Sequence, residues 1–142
     1  MDFSHEKLNV YNKALDFIEF INEIPSSGHI KLNVLDQSDR AATSIPLNIA
    51  EGTGKYTSKD KCRYYDIARS SALECAACLD VLIRRKQIRA ELCKKGKSFL
   101  LEIVSMLTGL IRSTSGRVYE KEFNYNVINS ESDKKENVSL IF

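Results

Sequence analysis

Cys75-Ala-Ala-Cys78 has the Cys-x-x-Cys spacing of redox and zinc sites, and Cys62 and Cys93 bring the thiols to four. A zinc site built on one such pair needs two further Cys or His ligands. Cys62 and Cys93 are isolated, and the two histidines, His5 and His29, lie in other segments. The thiols are therefore expected to act as small buried hydrophobes, with no metal and no cofactor. A second candidate is NIAEGTGKYTSKD at residues 48 to 60. A phosphate-gripping loop places a glycine five residues before its Gly-Lys pair, because the amides between them wrap the phosphates. Here Ile49 occupies that position, Tyr56 follows Lys55 where Ser or Thr is required, and no buried strand precedes the loop. The same residues read as a junction of helices: Gly52 ends one in the left-handed conformation, Gly54 keeps the link flexible, and Thr57 or Ser58 caps the next.

No Gly-x-Ser-x-Gly turn or comparable nucleophile arrangement stands near a histidine. Glu51, Asp60, Asp66 and Glu74 could hold metal only if they converged, and the Glu-x-x-His pattern of diiron bundles does not occur. Arg40, Arg63 and Arg69 are their expected partners, inside one subunit or between subunits. The chemistry that remains is charge. RRKQIR at 84 to 89 and KKGK at 94 to 97 place seven cations, Arg84, Arg85, Lys86, Arg89, Lys94, Lys95 and Lys97, around one expected turn. Net charge is only +2 overall, but residues 1 to 53 carry four Lys/Arg against eight Asp/Glu, and residues 54 to 97 carry twelve against five. Three readings stand: a patch that binds nucleic-acid phosphates by releasing counterions, a solvated helix turn, or positive charge facing the acidic first helix of a neighbouring copy.

The elements that must position these residues are helices. Strand patterns bounded by turn residues are absent, and the only prolines are Pro25 and Pro46. A first helix capped by Ser4 runs to about Ile24, with Leu8, Tyr11, Leu15 and Ile18 in one stripe and Val10, Ala14, Phe17 and Ile21 beside it. A second, over residues 32 to 51, aligns Leu35, Ala42, Ile45 and Ile49 and should bend at Pro46. A third, over 58 to 86, spaces Tyr65, Ala68, Ala72, Cys75, Leu79 and Leu82 by threes and fours. A fourth, over 91 to 115, aligns Leu92, Phe99, Ile103, Met106 and Leu110. With 142 residues and 43% hydrophobic content the chain is one domain: an all-α antiparallel up-down four-helix bundle over 1 to 116, then an irregular polar tail over 117 to 142 ending in SLIF. The charged N-terminus and the lack of a long apolar run point to a cytoplasmic protein with no membrane partner.

QSDRAATSIPLNIAEGTGKYTSKDKCRYYDIARSSALE at 37 to 74, with Leu8, Val10, Tyr11 and Ala14 before it, closely resembles the bacterial four-helix bundle family of 23S ribosomal RNA intervening-sequence proteins. Gln37, Arg40, Ser44, Asn48, Glu51, Gly52, Gly54, Ser58, Arg63, Ser71 and Glu74 fall on its motif positions. Lys55, Tyr64 and Ser70 depart from it, standing where arginine, phenylalanine and glycine are common. The resemblance implies a ring-like homopentamer. It also implies kinship with the accessory variability determinant of diversity-generating retroelements, which binds nucleic acid and a reverse transcriptase. It gives the wide apolar face of the first helix a use, with Tyr11, Phe17, Phe20 and Ile24 as candidate contacts between copies. Asn48, Glu51, Arg63 and Glu74 are assigned to polar interactions that order the bundle. The expectation is a non-enzymatic homo-oligomer that binds RNA or DNA without strong sequence selectivity; a scaffold that binds only proteins is the competing class.

Overall fold

The computed structural model describes residues 2–25 and 32–116. The tail from 117 and most of the PSSGH link lie outside the described residues. Among the described residues four helices follow a 3-10 turn, Ser4–Lys7: α1 Asn9–Asn22, α2 Leu32–Thr53, α3 Ser58–Arg84 and α4 Ala90–Ser115. Each helix packs on its neighbour in sequence and α4 closes back on α1, the arrangement of an antiparallel bundle.

The first helix is shorter than its apolar spacing predicts. The chain is extended at Leu8 (φ −83°, ψ 124°), which ends the 3-10 turn and begins α1. The Asn12 side-chain amide donates to the carbonyls of Glu6 and Leu8 at 3.1 and 3.2 Å, bridging the 3-10 turn to α1 and satisfying the Glu6 carbonyl, which a continuous helix would have paired internally. Of the row expected beside the main stripe, Val10, Ala14 and Phe17 are buried and Ile21 is half-buried; Phe20 completes the buried row, while Leu15 of the main stripe is exposed.

On α3 the expected seam holds at every position from Tyr65 to Leu82. Along α4 the buried row is Cys93, Gly96, Leu100, Ile103 and Leu107, turned from the expected Leu92, Phe99, Ile103, Met106 and Leu110. Small residues set this rotation. An ideal Cβ on Gly96 would lie 2.7 Å from the Phe20 ring and 2.8 Å from Leu79, so only glycine lets α4 come this close to α1 and α3. Phe99 then turns to α1 and meets Phe17 and Phe20 at ring-centroid distances of 6.4 and 5.7 Å.

Gly52 corrects a second expectation. It lies inside α2 without a positive φ, and the helix continues to Thr53. Its role is proximity, because a Cβ there would stand 2.9 Å from the Tyr65 ring and 3.0 Å from Cβ of Tyr64. Thr57 caps α3 as expected, its hydroxyl accepting from the Asp60 amide at 3.1 Å. Pro46 is buried within α2.

Candidate nucleic-acid interface

The cation-rich sequence around residue 86 forms the hairpin between α3 and α4. Arg84 is the last residue of α3, Arg85 its C-cap, and Arg89 the N-cap of α4. Lys86 adopts the left-handed conformation with φ 56°. The Lys86 amide donates to the Ile83 carbonyl at 3.0 Å and the Gln87 amide to the Leu82 carbonyl at 2.9 Å, closing the paired hydrogen bonds that finish a helix when the residue after its cap is left-handed. Glycine is the usual occupant of that position; here it is lysine, at a backbone penalty of about 1 kcal/mol. Ile88 is buried beneath the hairpin and joins the core, so the turn is anchored.

Arg84, Arg85, Lys86, Arg89, Lys94 and Lys95 are all exposed. The seven cations are not equivalent. Lys97 pairs with Asp80, and that hydrogen bond raises its pKa. Lys95 lies over the Phe20 ring, 5.8 Å from its centroid. Arg84, Arg85, Lys86, Arg89 and Lys94 have no acidic partner within 4.0 Å among the described residues. Cations at the C-terminus of α3 are favoured by its dipole, whereas Arg89 at the start of α4 stands where the dipole favours anions. The dipole therefore accounts for Arg84 and Arg85, and for Glu91 in the first turn of α4, but not for Arg89.

The assigned structural polar residues divide. Gln37 donates to Glu74 across the α2–α3 seam at 2.9 Å, and Asn48 donates to the Ser44 carbonyl and hydroxyl at 2.8 and 2.9 Å. Ser44 in turn meets Ser71 of α3 at 2.9 Å. This close meeting needs the small residues Ala41, Ala42, Ala68 and Ala72, all buried in the same core. Glu51 stays local, paired with Lys55 at 3.2 Å. Arg63 lies 5.7 Å from the centroid of the Tyr64 ring. Within one chain the expected pairs of Glu51, Asp60, Asp66 and Glu74 with Arg40, Arg63 and Arg69 do not form among the described residues, where the ion pairs are Lys13–Glu102, Glu51–Lys55 and Asp80–Lys97. Arg69 donates to Thr108 at 3.1 Å instead. The hydroxyl contacts were hidden in sequence, because serine on a helix reads as a neutral position until the facing helix is known.

The candidate contacts between copies also divide. Phe17 (0% exposed) and Phe20 (4%) are consumed by the chain's own core. Their burial corrects the expectation that the extra apolar width of α1 is left for another copy at those two positions. Tyr11 and Ile24 are half-buried against the same core. A cleft of about 280 Å³ lies between the start of α1 and the end of α4, lined by Leu8, Val10, Met106, Gly109 and Leu110 among others.

All four thiols are free and buried. Cys93 donates to the Leu79 carbonyl at 3.8 Å and Cys62 to that of Ile111 at 3.7 Å. Burial pushes the Cys75 thiol up to about 12, with the neighbouring Cys78 and Glu74 adding to it. A thiol held protonated is neither a nucleophile nor a metal ligand near neutral pH. Among the described residues no three His, Cys, Asp or Glu side chains are grouped to hold a metal ion, and no helix is long and apolar enough to cross a membrane.

These features define an antiparallel four-helix bundle with polar stitching along one seam and a cation-rich hairpin at one end. The chain belongs to the 23S rRNA-intervening sequence protein family, whose model matches residues 6–109. A solved structure of a protein of unknown function from the S23 ribosomal protein family of Bacteroides thetaiotaomicron aligns with a TM-score of 0.68 at 26% identity, covering 72% of this chain and 98% of that one. No curated protein matches the chain. The family match ends before the tail.

Proposed function

We propose that this protein is a non-enzymatic, homo-oligomeric bundle that binds RNA or DNA through its α3–α4 hairpin without strong base selectivity. The observation that supports it best is the set of five exposed cations, Arg84, Arg85, Lys86, Arg89 and Lys94, with no acidic partner among the described residues. Phosphates would neutralise this repulsion and accept the charge held at the start of α4. The contacts proposed are to phosphates, which position a nucleic acid without reporting its sequence. A homopentamer would repeat the hairpin around one rim and strengthen binding through valency. The kinship with retroelement accessory proteins extends this proposal to a reverse transcriptase as a further partner.

A protein-binding scaffold is the second reading, favoured by large apolar side chains left in water: Leu101 is 70% exposed and Leu47 64%. Salt dependence separates the two. Binding of a fluorescent oligonucleotide should weaken steeply with salt, with a log–log slope of about −4 to −5 on duplex DNA if all five cations meet phosphates. It should be lost when the five are replaced by glutamine. No binding at low salt refutes the proposal. Light scattering during size exclusion tests the oligomer, and a monomeric mass refutes that part.

A further inference from the structure

The turn between α2 and α3, at the other end of α3, holds an aromatic ring that the fold does not use. Tyr56 is fully exposed, although the backbone around it is tied down. The Lys55 amide donates to the Gly52 carbonyl at 3.1 Å, Thr57 caps α3, and the Lys61 ammonium donates to the Thr53 carbonyl at 2.9 Å. A ring in water gains nothing from burial, so packing supplies no reason for a tyrosine here. The cations nearby do not cover it. The Lys55 ammonium lies 4.9 Å and the Arg63 guanidinium 5.7 Å from the centroid of a different ring, Tyr64. Of the carboxylates near the turn, Glu51 is occupied by Lys55 at 3.2 Å, while Asp60 is exposed in the first turn of α3, beside Lys59 and Lys61 in the chain. The ordered turn thus presents one bare aromatic face, a second ring flanked by two cations, and the exposed Lys59.

We infer that the α2–α3 turn is a stacking site for an unpaired base of a single-stranded nucleic acid. Tyr56 offers its face to the base, and Lys59 and Arg63 take the adjoining phosphates. Every base has a π-face, so an exposed ring among cations grips single strands with little sequence preference, whereas a duplex keeps its bases stacked on each other. The exposed cations Lys59 and Arg63 at the start of α3 also suit a polyanion better than an apolar protein surface. The inference rests on the nucleic-acid reading above and deepens it. It adds a preference for unpaired strands, at a site separated from the α3–α4 hairpin by the 27 residues of α3, or about 40 Å.

The test compares the full chain with its Tyr56→Ala and Tyr56→Phe variants, binding a fluorescent oligothymidine and a duplex of equal length. Tyr56→Ala should weaken single-strand binding about tenfold, the loss of one stacked base. It should leave duplex binding unchanged, and Tyr56→Phe should bind as the parent does. Unchanged single-strand binding by Tyr56→Ala overturns the inference while leaving the hairpin proposal standing. Equal loss on both nucleic acids also overturns it, as does a change in assembly mass without a change in strand binding, which would make the ring a protein contact. Failure of the parent chain to bind either nucleic acid at low salt overturns both readings.

Discussion

Gly96 and Gly109 lie on the same helix and allow the same substitution, glycine to alanine, to be read in opposite directions. Alanine in a helix interior is favoured over glycine by about 0.5–1 kcal/mol through the entropy of the unfolded chain. At Gly109 nothing opposes that gain, because no heavy atom lies within 4 Å of the new methyl group. At Gly96 the methyl would stand 2.7 Å from Cε1 of Phe20 and 2.8 Å from Cδ1 of Leu79. Phe20 is 4% exposed and Leu79 fully buried, so neither can swing into solvent. Relief requires α1 or α3 to move, at an overpacking cost of about 1–3 kcal/mol. Gly109→Ala should therefore raise stability by up to about 1 kcal/mol and Gly96→Ala lower it by up to about 2 kcal/mol after the propensity gain is deducted. Denaturant unfolding followed by far-ultraviolet circular dichroism measures both, and each kcal/mol should move the melting temperature by about 4 °C. If Gly96→Ala proves as stable as Gly109→Ala, α4 does not approach α1 and α3 as closely as described, and the account of the rotated α4 face fails.

The left-handed Lys86 makes the hairpin a compromise between stability and charge. Lys86→Gly should raise stability by about 0.5–1 kcal/mol while weakening oligonucleotide binding and flattening its salt slope by about 1; a destabilised variant would contradict the backbone assignment. The thiol of Cys75 should make the fold sensitive to alkali. Its pKa is raised from an ordinary 9.0 to about 12, so above about pH 9 the unfolded chain releases a proton that the native chain retains. Stability should fall by about 1.4 kcal/mol for each pH unit between those values. Urea unfolding across pH 8–11 should show a shallower slope for Cys75→Ala than for the parent, and equal slopes refute the assignment.

The motif stretch, the helix periodicities and the four apolar rows were enough to read an antiparallel bundle, because 3.6-residue periodicity is a property of the chain alone. The cation-rich turn was legible for the same reason: charges close in sequence around a short turn stay close in space. So were the buried thiols, since Cys75 falls on the α3 seam. What sequence could not decide was which of two adjacent apolar rows faces inward. On α1 and α4 both rows are apolar enough to be buried, and the choice depends on how near the neighbouring helices come. Gly96 and Gly52 set that distance through side chains from other helices, Phe20 and Leu79 at one and Tyr65 at the other. The same limit hid the Ser44–Ser71 and Gln37–Glu74 contacts and sent Phe17 and Phe20 into the core. Periodicity fixes the faces of one helix, but the pairing of faces is a property of several helices at once, and only their mutual packing settles it.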